Sequence, residues 1–208
     1  MLLDADESQL LLIDYQEKLM PVIHGGAEVV ANAVRLGRIA QLLQVPVMGT
    51  EQNPQRLGAN LPEIKALCSR TLAKMHFSAA PDGLLPLLRP PAPAQRGGNA
   101  RSLPRHLQRP AQGGHAAQGT AEGRQTLVLA GCEAHVCLLQ TALDLLEEEF
   151  EVWVVTDACS SRTERNRDAA FDRLAAAGAE LVTTEMVAFE WLRAADHPAF
   201  REVLPLIK

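Results

Sequence analysis

Apolar residues in this chain fall into short runs and helical stripes that alternate. Residues 9–14 (Gln-Leu-Leu-Leu-Ile-Asp) form a continuous apolar run ending in an acid, the pattern of a strand buried on both faces of a parallel sheet. After a loop over 21–26, Val29, Ala33, Leu36, Ala40 and Leu43 recur at helical spacing. A second strand is expected over 45–50, completing a strand–helix–strand unit. The alternation resumes with a strand over 126–131, a helix over 136–149 carrying Leu139, Leu143 and Leu146 on one face, and a strand over 152–156. A helix over 164–177 is closed by Gly178, a usual helix stop. A strand over 181–184 and helices over 186–193 and 198–204 finish the chain, and 71–76 carries a weaker strand signal. Repeated strand-then-helix order predicts an α/β fold with a parallel sheet covered on both faces.

One stretch breaks the rhythm. Residues 90–124 are rich in Pro, Gly, Gln, Arg and Ala, with Leu103 and Leu107 the only large aliphatics. Such a segment buries little, so disorder or an irregular surface insertion is expected within a single domain spanning 1–208.

Composition fits a globular domain: 208 residues, 47% hydrophobic and 22% charged. A net charge of -5 argues against nucleic acid as a partner, because phosphate contacts need clustered Lys and Arg. No apolar run approaches the roughly 20 residues of a membrane span. The acidic start, Met-Leu-Leu-Asp-Ala-Asp-Glu, lacks the basic opening of a signal peptide, so a cytoplasmic location is expected. The cysteines at 68, 132, 137 and 159 contain no C-x-x-C pair, which argues against a zinc site.

Ligands of open parallel sheets bind beyond the carboxyl ends of the strands. That rule selects Asp14, the Thr50–Gln52 stretch, Lys74, the turn from Gly131 to Cys137, and Thr156 with Asp157. Cys137 falls in the first turn of a helix, where unpaired N–H groups and the helix dipole favour a thiolate, with a pKa well below about 8.5. The same N–H groups could stabilise an oxyanion. Cys137 also reads as a small buried residue, Asp14 as a loop cap and Lys74 as a surface lysine. Together they read as a nucleophile, its base and a cation that holds the base ionised.

Several separated motifs, in order, carry a resemblance. Leu-Leu-Ile-Asp14-Tyr-Gln-Glu-Lys-Leu, Gly-Thr-Glu51-Gln52-Asn-Pro, Lys74-Met-His-Phe-Ser and Gly-Cys-Glu-Ala-His-Val-Cys137-Leu-Leu-Gln resemble isochorismatase-like cysteine hydrolases. Thr-Asp157-Ala-Cys-Ser-Ser-Arg162 and His197-Pro-Ala-Phe are similar to the isochorismatase domain-containing subgroup. The resemblance implies a three-layer α/β/α fold with a six-stranded parallel sheet in the order 3-2-1-4-5-6. It implies Asp14, Lys74 and Cys137 as catalytic residues and a cis peptide at Cys132–Glu133. It further implies an oxyanion hole from the N–H groups of Glu133 and Cys137, and a homodimer or homotetramer. Gln52, Phe77 and His135 are candidate substrate-lining residues; His135 also reads as a structural hydrogen-bonder. Metal-dependent relatives carry Asp-x-His after the second strand, where this chain has Glu51-Gln52-Asn53, so neither metal nor other cofactor is expected.

The chemistry so implied is hydrolysis of a small amide, carbamate or related carbonyl compound through an acyl-enzyme at Cys137. The alternative is a non-catalytic small-molecule binder or scaffold that keeps the fold. A nucleotide-binding protein fits less well, since neither a G-x-G-x-x-G turn nor a P-loop follows the first strand.

Overall fold

A computed structural model describes residues 1–89 and 123–208. Its centre is a six-stranded sheet in the order β3-β2-β1-β4-β5-β6, with every pairing parallel. The strands are β1 (Ser8–Ile13), β2 (Val47–Gln52), β3 (Arg70–Lys74), β4 (Thr126–Gly131), β5 (Glu151–Val155) and β6 (Glu180–Val182). The order reverses beside β1, where the chain leaves β3 on one edge and re-enters as β4. In open α/β sheets ligands bind at such a switch point, beyond the carboxyl ends of the strands.

Both sheet faces are covered. Helix α1 (Gly26–Leu42) packs with α7 (Thr184–Leu192) and α8 (Phe200–Ile207), while α5 (Leu139–Glu147) and α6 (Glu164–Ala176) pack against each other. Short helices α2 (Pro54–Leu57) and α3 (Pro62–Lys65) link β2 to β3, and α4 (Leu85–Leu88) follows β3. This double cover explains why the middles of β1 and β4 are apolar in sequence: Leu10, Leu11, Leu12, Leu127, Val128 and Leu129 are wholly buried.

Several strand boundaries differ from the sequence expectation, each for a local reason. Strand β2 starts two residues late because Gln44 turns the chain at φ +58° and Val45 N–H bonds back to Ala40 O at 2.8 Å. Glu51 and Gln52 are therefore strand residues. Strand β3 stops at Lys74 because the next two N–H groups, of Met75 and His76, go to the Asp82 carboxylate. Strand β6 stops early because Thr183 caps α7, accepting from Met186 N–H. The expected insertion over 90–124 lies almost entirely outside the described residues.

Candidate active site

Asp14 follows β1 in the left-handed region, at φ +56°. Aspartate tolerates this conformation better than most residues. Parallel pairing sets Ile13 beside Thr50, and Thr50 Oγ1 donates to Asp14 Oδ1 at 2.7 Å. Lys74 ends β3 in register with Gln52, and its Nζ lies 2.8 Å from Asp14 Oδ2 with both side chains fully buried. Two charges taken this far from water need several good partners. Lys74 Nζ has them: Gln52 Oε1 at 2.7 Å, Phe77 O at 2.9 Å and His76 O at 3.4 Å.

The Gln52 amide has one orientation that fits its neighbours. Its Nε2 donates to Met75 O at 2.7 Å, so its Oε1 faces the ammonium group. Gln16 grips the Gln52 backbone on both sides, accepting from its N–H at 2.8 Å and donating to its carbonyl at 3.0 Å. Gln52 is thus committed to protein groups. Its Oε1 lies between Lys74 Nζ and Cys137 Sγ, at 2.7 and 4.0 Å.

Cys137 comes from β4. The strand ends at Gly131, where a Cβ would lie 2.5 Å from Ile13 O, so only glycine permits this approach of β4 to β1. The Cys132–Glu133 peptide is cis, as the resemblance implied. Glu133 then precedes a helical turn, Ala134–Leu138, that runs on into α5. Cys137 lies in that first turn, buried, with Sγ 4.0 Å from Gln52 Oε1.

The structure therefore brings Asp14, Lys74, Gln52 and Cys137 into one cluster, with Lys74 touching both Asp14 and Gln52. It does not lower the resting thiol pKa, as the helix-start argument expected. Burial pushes Cys137 up to about 12 and the Asp14 carboxylate adds to this, while Lys74 opposes both. Desolvation of a sulfur anion, with the Asp14 charge, outweighs the Lys74 cation.

The remaining sequence candidates separate. Phe77 supplies a backbone carbonyl to Lys74, and the residue as a whole is exposed. His135 is engaged through both ring nitrogens, Nδ1 with Ser161 Oγ at 2.9 Å and Nε2 with Asn166 Nδ2 at 3.4 Å. Its ring ties the turn that carries Cys137 to α6. The Glu133 carboxylate holds Arg162, accepting from its N–H at 3.1 Å and its Nε at 3.0 Å. This leaves only the Glu133 backbone for any oxyanion role. Among the described residues no group of three or more His, Cys, Asp or Glu is gathered to hold a metal. Sequence reasoning selected Thr50 only as part of a strand end and gave no role to Gln16 or Asp82, whose contacts depend on strand register and on a turn the pattern did not resolve.

Fold and site together define a parallel α/β/α protein with a buried Asp–Lys pair facing a cysteine at the switch point of the sheet. The isochorismatase domain matches residues 115–186. Isochorismatase domain-containing protein 2A of Mus musculus is 35% identical over 206 residues, covering 98% of this chain and 84% of the mouse protein. The chain belongs to the isochorismatase domain-containing protein family. Among solved structures, the MAR1 ribonuclease of Caenorhabditis elegans superposes with a TM-score of 0.80 at 31% identity, covering 100% of this chain and 92% of its own. YcaC of Pseudomonas aeruginosa, solved with hexane-2,5-diol and covalent acrylamide, gives a TM-score of 0.77 at 25% identity, covering 99% and 91%.

Proposed function

We propose that this member of an isochorismatase-type hydrolase family is a cysteine amidohydrolase acting on a small amide, carbamate or related carbonyl compound. The observation that carries the reading is the fully buried Lys74–Asp14 pair beside a sulfur at a helix start. Buried charge of this kind is expensive and clusters at functional sites.

The thiol rests protonated, so its proton must leave as the sulfur attacks. Asp14 accepts the proton of Cys137 Sγ while the S–C bond forms to the substrate carbonyl. The N–H groups of Glu133 and Cys137 receive the developing oxyanion. Asp14 returns the proton to the leaving nitrogen as the C–N bond breaks, giving an amine and a thioester. Water then attacks the thioester with Asp14 as base, and the acid departs as the thiol is restored. Lys74 keeps its proton throughout and holds Asp14 in place. Covalent acrylamide in the Pseudomonas YcaC structure supports the idea that this fold presents a nucleophile to a small amide-bearing electrophile.

The same reading carries a single domain, a cytoplasmic location and a homo-oligomer. Exposed Met75 and Phe77 beside the site, and Met186 and Phe189 on α7, offer apolar surface for copies to share. Among the described residues, no helix is long and apolar enough to cross a membrane.

A hydrolysis screen over small amides and carbamates, with mass spectrometry of the trapped enzyme, tests the chemistry. Turnover with an acyl adduct on Cys137 is expected, lost in Cys137→Ala and Asp14→Asn. Wild-type rates in Cys137→Ala sink the mechanism. RNA belongs in the same screen because of the name the worm protein bears. With a net charge of -5, this chain is expected to leave RNA intact.

A further inference from the structure

Lys74 is held by more than its counter-ion. Of its four acceptors, two are the backbone carbonyls of His76 and Phe77, at 3.4 and 2.9 Å. A third, Gln52 Oε1, is itself oriented by Met75 O, at 2.7 Å from Gln52 Nε2. The ammonium group and its neighbour therefore depend on the course of three residues, 75–77, that follow β3 without regular structure. A turn with exposed side chains at Met75 and Phe77 has little apolar packing to fix it.

Asp82 fixes it from outside. Its Oδ2 accepts the N–H groups of both Met75 and His76, at 2.7 and 2.9 Å. Its Oδ1 lies 3.0 Å from His76 Nδ1. One carboxylate thus holds the N–H side of the 74–75 and 75–76 peptides; the carbonyl of the second, Met75 O, orients Gln52, and the two carbonyls on Lys74 belong to the next two peptides along. These bonds, from the His76 ring first, keep the Asp82 carboxyl below its ordinary range. The far end of the turn is pinned separately, with Ser78 Oγ donating to Asp144 Oδ2 at 2.5 Å and Ala79 N–H donating to Thr141 Oγ1 at 3.1 Å. The charged and titratable groups that bear on this turn are accordingly Asp82, His76, Asp144, Lys74 and Asp14.

We infer that Asp82, a residue outside the catalytic cluster, is a positioning residue that sets the place of the Lys74 ammonium, and through it the reactivity of Cys137. The inference rests on the proposed chemistry at Cys137, and the test below separates the two.

The probe is acrylamide. Its addition to Cys137 forms an S–C bond at the terminal alkene carbon, breaks the C=C π bond and moves the thiol proton to the neighbouring carbon. The rate of labelling at Cys137 is followed by peptide mass spectrometry across a pH series, in the intact chain. Removing a nearby negative charge favours a thiolate, so a purely electrostatic role for Asp82 shifts the labelling profile of Asp82→Ala to lower pH. Loss of a well-placed Lys74 has the opposite sign, because Lys74 stabilises the anion. The expected result is a shift to higher pH in Asp82→Ala, with labelling slowed about tenfold or more at neutral pH, as for other misplaced catalytic groups. Asp82→Asn loses the charge but keeps an oxygen for the two N–H groups, and is expected to restore most of the rate.

The double variant supplies the second criterion. In a Lys74→Met background, Asp82→Ala should cause no further slowing, since groups acting through one another are not additive. An unshifted or downward-shifted profile in Asp82→Ala, or an equal slowing in both backgrounds, overturns the positioning role and leaves the chemistry at Cys137 standing. Labelling unaffected by Lys74→Met overturns the catalytic reading, and the inference with it. Should Lys74→Met fail to fold, the Asp82→Ala and Asp82→Asn profiles decide the matter alone.

Discussion

Asp14 and Lys74 bury a full charge each with no exposed surface on either side chain. Removing one partner strands the other in a medium that solvates it poorly, at a typical cost of about 3–5 kcal/mol. Lys74→Met and Asp14→Asn are therefore expected to lower the urea midpoint sharply. Lys74 stranded by Asp14→Asn keeps Gln52 and two carbonyls as partners. Asp14 stranded by Lys74→Met keeps the hydroxyl of Thr50 and the weak donor of the Cys137 thiol, so Lys74→Met should be the more damaging unless Asp14 takes up a proton. Cys137→Ala removes a small, nearly apolar group and should cost no more than about 1 kcal/mol. Equal midpoints across these three variants would show that the pair is not a stabilised unit. This ordering bears on any activity loss: a dead Cys137→Ala reports on chemistry, whereas a dead Asp14→Asn must first be shown to be folded.

Among the elements, β4 and the turn after it carry the tightest constraint. Gly131 pairs with Ile13 so closely that a Cβ would meet the Ile13 carbonyl at 2.5 Å and its Cβ at 2.6 Å. Gly131→Ala must push β4 from β1 at the point where one strand delivers Asp14 and the other delivers Cys137. A loss of about 1–3 kcal/mol is expected from overpacking, with slower acrylamide labelling of Cys137 in whatever fraction folds. Normal labelling with normal stability would show that the strand ends tolerate displacement. The alternating pattern made the six strands and the principal helices legible, because parallel strands buried on both faces leave uninterrupted apolar runs such as 10–13. The family motifs made Asp14, Lys74 and Cys137 legible. Gln52 was marked by its place near a strand end and within a family motif, but its partnership with Lys74 needed the β2–β3 register. Asp82 left no trace in the pattern, since an acid before a glycine reads as any surface turn. The thiol pKa was misjudged for a related reason: a helix start is visible in sequence, but the burial that raises the thiol depends on the tertiary packing around Cys137.

At the scale of the whole molecule, the buried thiols share a behaviour with consequences for handling the protein. Burial raises Cys137 and Cys132 to about 12 each and lifts Cys159 and Tyr15 well above their ordinary values. In the unfolded chain these thiols ionise near pH 8.5. Between that pH and the folded pKa the unfolded state has released protons that the folded state retains, so unfolding is favoured as pH rises. Each such thiol steepens the loss by about 1.4 kcal/mol per pH unit in that window, and three wholly or largely buried thiols act together. Stability contributed by the neutral thiols is complete below about pH 8 and declines above it. Urea midpoints measured from about pH 7 to about pH 10 should fall steeply once pH 8.5 is passed. The fall should be shallower in a Cys132→Ala/Cys159→Ala variant, which has two fewer thiols to ionise on unfolding. A flat midpoint over that range would mean that the sulfurs gain solvent or partners in the folded protein. Cys137 would then be nearer to a ready thiolate than its burial implies, and the need for Asp14 to take its proton during attack would disappear.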